Sequence, residues 1–341
     1  MASPQGKKAG VRFGCDALAS RFNHLQDKMP LDPLVKAFLD QAAAIPRPRP
    51  WEMPLGASRQ GFAGLMRLVG PKDVPVGKIE NFKIPMERGA IRARSYAPVA
   101  AGSAAMPALV YFHGGGFVVG DLDTHDGLCR LLAHEGGFRV IAVEYRLAPE
   151  HKWPAPLEDA TATLTWIFEN ASGLGVDAGR IAVGGDSAGG LLTACVTQAM
   201  RKAGVAIAFQ LLMFPATDLA GHFASMEKFG VGYFMDRQTI EWNNSQIIPE
   251  DADRSSPKIS PLRAKDFTGL PPAYILLGGY DPLHDEGMAY AEKLRQAGVE
   301  VTVADYGDMV HCFIYLQTVL PQAHEAVAAA AKAVRDALAV A

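Results

Sequence analysis

The sequence predicts an α/β fold: a mostly parallel sheet of eight strands, doubly wound and flanked by helices on both faces. Three observations carry this expectation. From about residue 79 onward, short β-rich runs alternate with helical patterns, the rhythm of strand, crossover helix and next strand. Several of the runs are almost continuously apolar, as strands buried on both faces must be. Two of the helical stretches reach a glycine where a helix should stop, at Gly204 and Gly298.

In chain order the strands are "KIENFKI", "AIRARSY", "ALVYF", "RVIAVEY", "RIAVGG", "QLLMF", "AYILLG" and "EVTVADY". Helices are read in "LEDATATLTWIFEN", "AGGLLTACVTQAMRKAG" and "DEGMAYAEKLRQAG", and an alanine-rich helix, "AHEAVAAAAKAVRDALAVA", closes the chain. Two segments break the rhythm. Residues 1–75 read as helical with proline interruptions ("AAAIPRPRPWEMP"), and residues 215–265 form a Pro- and Asp-rich insert carrying Phe223, Phe229, Tyr233, Phe234 and Trp242. Long segments of this kind in compact proteins are usually functional, so together they are expected to form a helical cap beside a catalytic domain of residues 76–214 and 266–341. A peripheral decoration that never meets substrate is the alternative.

At 341 residues, 49% hydrophobic and 20% charged, the chain has a globular composition and suits one large domain with a smaller appended region. A net charge of -3 gives no electrostatic pull toward nucleic acid or an anionic membrane. No apolar stretch of the signal-peptide kind follows "MASPQGKKAG", and no run is long enough to span a bilayer, so a soluble, cytoplasmic protein is expected. Cys15, Cys129, Cys195 and Cys312 are scattered without a C-x-x-C pair, against a zinc knuckle or a disulfide scaffold. With no H-E-x-x-H or clustered ligand spacing either, no metal is expected.

The stretch that carries chemistry is "RIAVGGDSAGG". It fits G-x-S-x-G at Gly185, Ser187 and Gly189, after a strand and at the start of a helix. In such a nucleophile elbow the serine sits on a strained, sharp turn, and its neighbours must lack clashing side chains. The serine hydroxyl is thereby lifted above the carboxyl edge of the sheet, toward the positive end of the following helix. The competing reading is a β-to-α turn of a nucleotide-binding unit, but neither G-x-G-x-x-G nor a lysine-bearing phosphate loop is present.

A serine needs a base. Among nine histidines His311, in "GDMVHCF", lies after the last predicted strand, at the sheet edge where active sites of open α/β sheets collect. The orienting carboxylate should fall between the two in chain order, and Asp281, after "AYILLG", meets that requirement; Asp285 and Glu286 are rivals that better suit the start of the next helix. Donors for a tetrahedral oxyanion are expected from "HGGGF" after "ALVYF": the N–H groups of Gly114 and Gly115, joined by that of Ala188. His113 is expected to brace this loop, and Asp186 to support the elbow through hydrogen bonds.

"HGGGF", "YRLAPEHKWPAPLED", "GGDSAGG", "GYDPLHDEG" and "MVHCF", in that order, give the chain a resemblance to the bacterial hormone-sensitive-lipase-like carboxylesterases, in the branch whose elbow reads G-D-S-A-G. The likeness covers roughly residues 29–335. It implies an α/β-hydrolase domain of eight strands, a cap built from the N-terminal helices and an insert, and a triad of Ser187, His311 and Asp281. It further implies hydrolysis of short- to medium-chain acyl esters through an acyl-enzyme, no cofactor, a small-molecule ester as partner, and frequent homodimers. Two departures stand out: Cys312 replaces the usual glycine after the histidine, where its side chain would narrow the pocket or hold the loop differently, and His284 replaces a common arginine, weakening a salt bridge. An amidase, lactonase or deacetylase would use the same triad, and a non-catalytic ligand-binding protein could share the fold.

Overall fold

The computed structural model describes residues 29–45, 48–87, 89–102 and 104–340. One eight-stranded sheet organises it, in the order β1-β2-β4-β3-β5-β6-β7-β8. Its strands are β1 Lys78–Met86, β2 Gly89–Ala97, β3 Met106–Phe112, β4 Arg139–Glu144, β5 Val176–Asp186, β6 Phe209–Met213, β7 Ala273–Tyr280 and β8 Val301–Val310. β2 runs antiparallel to both its neighbours, and every pairing from β4 to β8 is parallel.

The apolar strands are two-sided, which is why their sequences do not alternate. On β3, Leu109 and Tyr111 enter one core cluster while Ala108, Val110 and Phe112 enter the other, on the opposite face. The first cluster is covered by α3 (Asp126–Gly136) and α9 (Pro321–Ala337), and the second by α4 (Ala155–Glu169) and α5 (Ala188–Lys202); α8 (His284–Gln296) packs on β7 and β8 over a smaller cluster. Gly204 and Gly298 have φ of +77° and +78°, one position beyond the last capped turns of α5 and α8, which is the left-handed exit only glycine makes cheaply.

Two differences from the sequence reading bear on the site. α3, for which no helix was singled out between 112 and 139, is short, but its Leu128, Leu131 and Leu132 are buried. β8 runs past "EVTVADY" to Val310, because a register shift between Gly278 and Tyr280 on β7 lets Tyr280 pair with Val310. The last strand thus delivers the chain straight to His311. The off-rhythm segments supply α1 (Pro33–Ala44) and α2 (Leu55–Val69) before the sheet, and α6 (Ala224–Phe229) and α7 (Arg237–Ile247) after β6. No described helix is long and apolar enough to cross a membrane.

Candidate active site

At the corner between β5 and α5, Ser187 stands with φ 52° and ψ -115°. Such backbone is costly for a residue with a Cβ, on the order of 1–3 kcal/mol, and survives only where the surroundings leave no alternative. Here they leave none. A Cβ on Gly189 would lie 2.0 Å from the Phe112 carbonyl oxygen, and one on Gly185 2.5 Å from the same atom, so the elbow glycines let α5 touch the end of β3 backbone to backbone.

Ser187, His311 and Asp281 lie in one hydrogen-bonded line. His311 Nε2 is 3.0 Å from Ser187 Oγ, and His311 Nδ1 is 2.7 Å from Asp281 Oδ2. Asp281 directly follows β7, and its other oxygen accepts the Leu283 N–H at 2.8 Å. With a carboxylate at Nδ1, the proton resides there and Nε2 faces the hydroxyl as an acceptor. Burial disfavours a charged ring, while the Asp281 carboxylate favours it and raises the His311 pKa, which makes the neutral ring a stronger base toward the hydroxyl. The rivals are engaged elsewhere: Asp285 accepts the Ser225 N–H at 2.9 Å, and Glu286 the Thr217 N–H at 2.6 Å.

The glycine loop corrects one expectation. Gly114 N–H donates to Asp186 Oδ1 at 2.9 Å, so it does not face a substrate oxygen. The N–H groups of Gly115 and Gly116 have no acceptor among the described residues, and that of Ala188, first in α5, has no intrahelical one. The open N–H groups therefore lie one residue further along the loop than expected, at Gly115 and Gly116, beside that of Ala188. Asp186 also accepts from Tyr111 Oη at 2.6 Å, with His125 Nε2 at 3.7 Å. Burial would raise its pKa, yet His125 and the Tyr111 hydroxyl hold it below the ordinary value. Tyr111 and His125 went unnoticed in the sequence, where nothing local marks an inward hydroxyl or imidazole that meets a carboxylate far along the chain.

His113 braces the loop from beneath. Its Nδ1 lies 2.8 Å from the Gly114 carbonyl, its ring stacks on Tyr145 at 4.4 Å, and Tyr145 Oη donates to the His113 carbonyl at 2.6 Å. Burial first, and His125 beside it, lower its pKa to about 4, so the ring is neutral at pH 7. His284 forms the salt bridge it was expected to weaken: its two nitrogens are 3.1 Å from Asp285 Oδ1 and 3.3 Å from Asp305 Oδ2, and despite burial these carboxylates raise its pKa to about 9. Cys312 takes φ 62°, the left-handed region that suits glycine, and packs against the core without lining the cavity.

A cavity of about 310 Å³ opens over Ser187, walled by Phe117, Leu191, Leu219, Met226 and Ile240 among others. Of the five insert aromatics, Phe223 lines it and the other four do not. Phe229 and Tyr233 cluster with Tyr280, Phe234 packs on Phe38 at 5.7 Å, and Trp242 packs on the core. α2 reaches the loop from outside, where Arg59 donates to the Val118 carbonyl at 2.9 Å and pairs with Glu150 at 2.8 Å.

Comparison with known proteins bears on the fold and the family. The family profile for the alpha/beta hydrolase fold matches residues 109–315. Carboxylic ester hydrolase LipN of Mycobacterium tuberculosis is 44% identical over 245 residues, 70% of this chain and 65% of that protein. Esterase LipI of the same organism is 38% identical over 310 residues, 89% of this chain and 94% of its own length. Among solved structures, ester-hydrolase EH1AB1 from the metagenome of Lake Arreo, complexed with a bipyridine phosphonate derivative, superposes with a TM-score of 0.88 at 41% identity, covering 90% of this chain and 98% of that one. The chain therefore belongs to the α/β-hydrolases, in the hormone-sensitive-lipase-like family of carboxylesterases.

Proposed function

We propose that Ser187 is the nucleophile of this carboxylic ester hydrolase, His311 its general base and Asp281 the group that orients the imidazole. The observation that carries this is the pair of contacts at 3.0 and 2.7 Å joining three residues from the ends of β5, β7 and β8. His311 Nε2 takes the Ser187 proton as the oxygen attacks the ester carbonyl, and Asp281 stabilises the imidazolium. Negative charge on the carbonyl oxygen meets the N–H groups of Gly115, Gly116 and Ala188, with the α5 N-terminus behind them. His311 returns the proton to the departing alcohol. It then activates the water that releases the acid from the acyl-serine.

The substrates in this reading are esters of short- to medium-chain acids, supported by a cavity at the small end of the usual range for ligand sites. Residues 215–265 and 29–75 act as its cap, supported by the insert's place in the cavity wall and by the Arg49–Asp236 pair at 2.5 Å that ties the segments together; residues 1–28, assigned to the same cap, lie outside the described residues. A cytoplasmic setting suits the free thiols of Cys129, Cys195 and Cys312. A homodimer rests on the family resemblance alone.

Nitrophenyl esters from acetate to palmitate test the activity, and an aryl phosphonate followed by peptide mass mapping tests the nucleophile. The phosphonate should label Ser187, and Ser187→Ala should lower kcat on the order of 10⁶-fold. Activity confined to the longest chains, or a Ser187→Ala protein that turns over normally, overturns the proposal.

A further inference from the structure

The polar groups in the cavity wall divide by whether the protein already uses them. Asp218 accepts from Arg263 at 2.7 Å, Arg237 pairs with Glu227 at 2.5 Å, and Glu286 accepts the Thr217 N–H. His222, Glu241 and Arg254 are exposed, where water satisfies them. Asn243 differs from all of these, as does its half-buried neighbour Asn244, which lines the cavity with no side-chain hydrogen bond to a described residue; of the two, Asn243 is the one set against the glycine loop. It is half-buried on α7, lines the same cavity as Ser187, and its side-chain amide makes no hydrogen bond to any described residue. It also lies directly on the oxyanion loop: a Cβ on Gly116 would stand 2.2 Å from Asn243 Nδ2 and 2.5 Å from its Cγ.

Gly116 is bare on the side Asn243 approaches, and that close approach puts an unused amide beside the place where the substrate carbonyl must sit. An amide offers two donor hydrogens and an accepting oxygen. Facing a purely hydrocarbon acyl chain it would lose its water and gain nothing, whereas a leucine of the same outline would pack better. A site that hydrogen-bonds a substrate oxygen discriminates strongly against the analogue that lacks it, because the site's own polar group is then left unpaired.

We infer that Asn243 is a specificity-determining residue, and that the preferred substrates are esters whose acyl part carries a hydroxyl or keto oxygen close to the scissile carbonyl, hydrogen-bonded by the Asn243 amide. The inference rests on the reading of Ser187 as nucleophile and of Gly116 as an oxyanion donor.

Purified full-length protein, Asn243→Ala and Asn243→Leu are compared on ethyl butyrate, ethyl 3-hydroxybutyrate and ethyl acetoacetate by pH-stat. The readout is the kcat/KM of each oxygenated ester divided by that of butyrate, taken relative to the same quotient in the variants; this cancels the intrinsic reactivity of each ester and any general loss of activity. The quotient for at least one oxygenated ester should fall threefold or more in the variants, about the worth of one neutral hydrogen bond. Alanine only removes atoms, so it decides the matter if leucine disturbs the loop. A quotient that changes less than threefold in every active variant overturns the inference. Failure of the unmodified protein to cleave any of the three esters would instead count against the esterase reading at Ser187, a separate result.

Discussion

Replacing Asp186 by asparagine keeps the outline of a buried side chain and removes its charge. In the folded protein one carboxylate oxygen accepts both the Tyr111 hydroxyl at 2.6 Å and the Gly114 N–H at 2.9 Å. Hydrogen bonds to a charged partner contribute about 1.5–3 kcal/mol and neutral ones about 1. Weakening two of them from the first kind to the second therefore costs about 1–4 kcal/mol. The same anchor sets the peptide that leads into Gly115. Losing a whole oxyanion donor lowers kcat about 10²- to 10³-fold, so a loosened loop is expected to lose about tenfold. The loss should fall on kcat more than on KM, since the donors act on charge that develops only in the transition state. The sign with pH also follows. The folded-state pKa of Asp186 lies below 3.8, so its contribution is complete above that value and is lost as pH falls through the folded pKa. Asp186→Asn should therefore unfold several degrees early near neutrality, with a smaller deficit at a pH below 3.8. Thermal unfolding at the two pH values and steady-state kinetics on nitrophenyl acetate measure both effects. A variant with unaltered kcat and unaltered midpoint near neutrality would refute the assignment of Asp186 as the anchor of the loop.

Two further outcomes are expected. His284 is protonated between Asp285 and Asp305 with its pKa raised from 6.5 to about 9, so its contribution is full below 6.5 and is lost as pH rises through about 9. A shift of this size corresponds to about 3 kcal/mol, and His284→Gln should unfold early at neutral pH but match the unmodified protein above about pH 10; a deficit independent of pH would contradict the charged bridge. In Gly189→Ala the new Cβ must displace the Phe112 and His113 carbonyls, 2.0 and 2.6 Å away, at the root of the oxyanion loop. That should destabilise by about 1–3 kcal/mol and lower kcat by about tenfold or more, as read by thermal unfolding and ester kinetics; unaltered activity would mean that α5 and β3 can separate freely.

How far the chain could be read beforehand depended on how local each signal was. The strands were legible because a two-sided apolar run such as "ALVYF" has few other places to go, and β8 was short by four residues because its extension depends on a register shift in β7. The elbow was legible because its glycines answer a turn within a few residues of Ser187. The off-rhythm aromatics could not be sorted from sequence: Phe229, Tyr233 and Phe234 look alike there to Phe223, and only their neighbours, Tyr280 and Phe38, draw them away from the cavity.

By itself the sequence determined the α/β architecture, the strained serine corner, and the order in which serine, carboxylate and histidine follow separate strands. Tertiary structure alone decided which loop N–H groups remain open, because the contact that occupies Gly114 joins residues 72 positions apart. It also decided that Asn243 rests on Gly116. Spacing along a chain reports turns and faces; which polar group finds a partner, and which is left for a ligand, is settled only when distant segments compete for the same few ångströms.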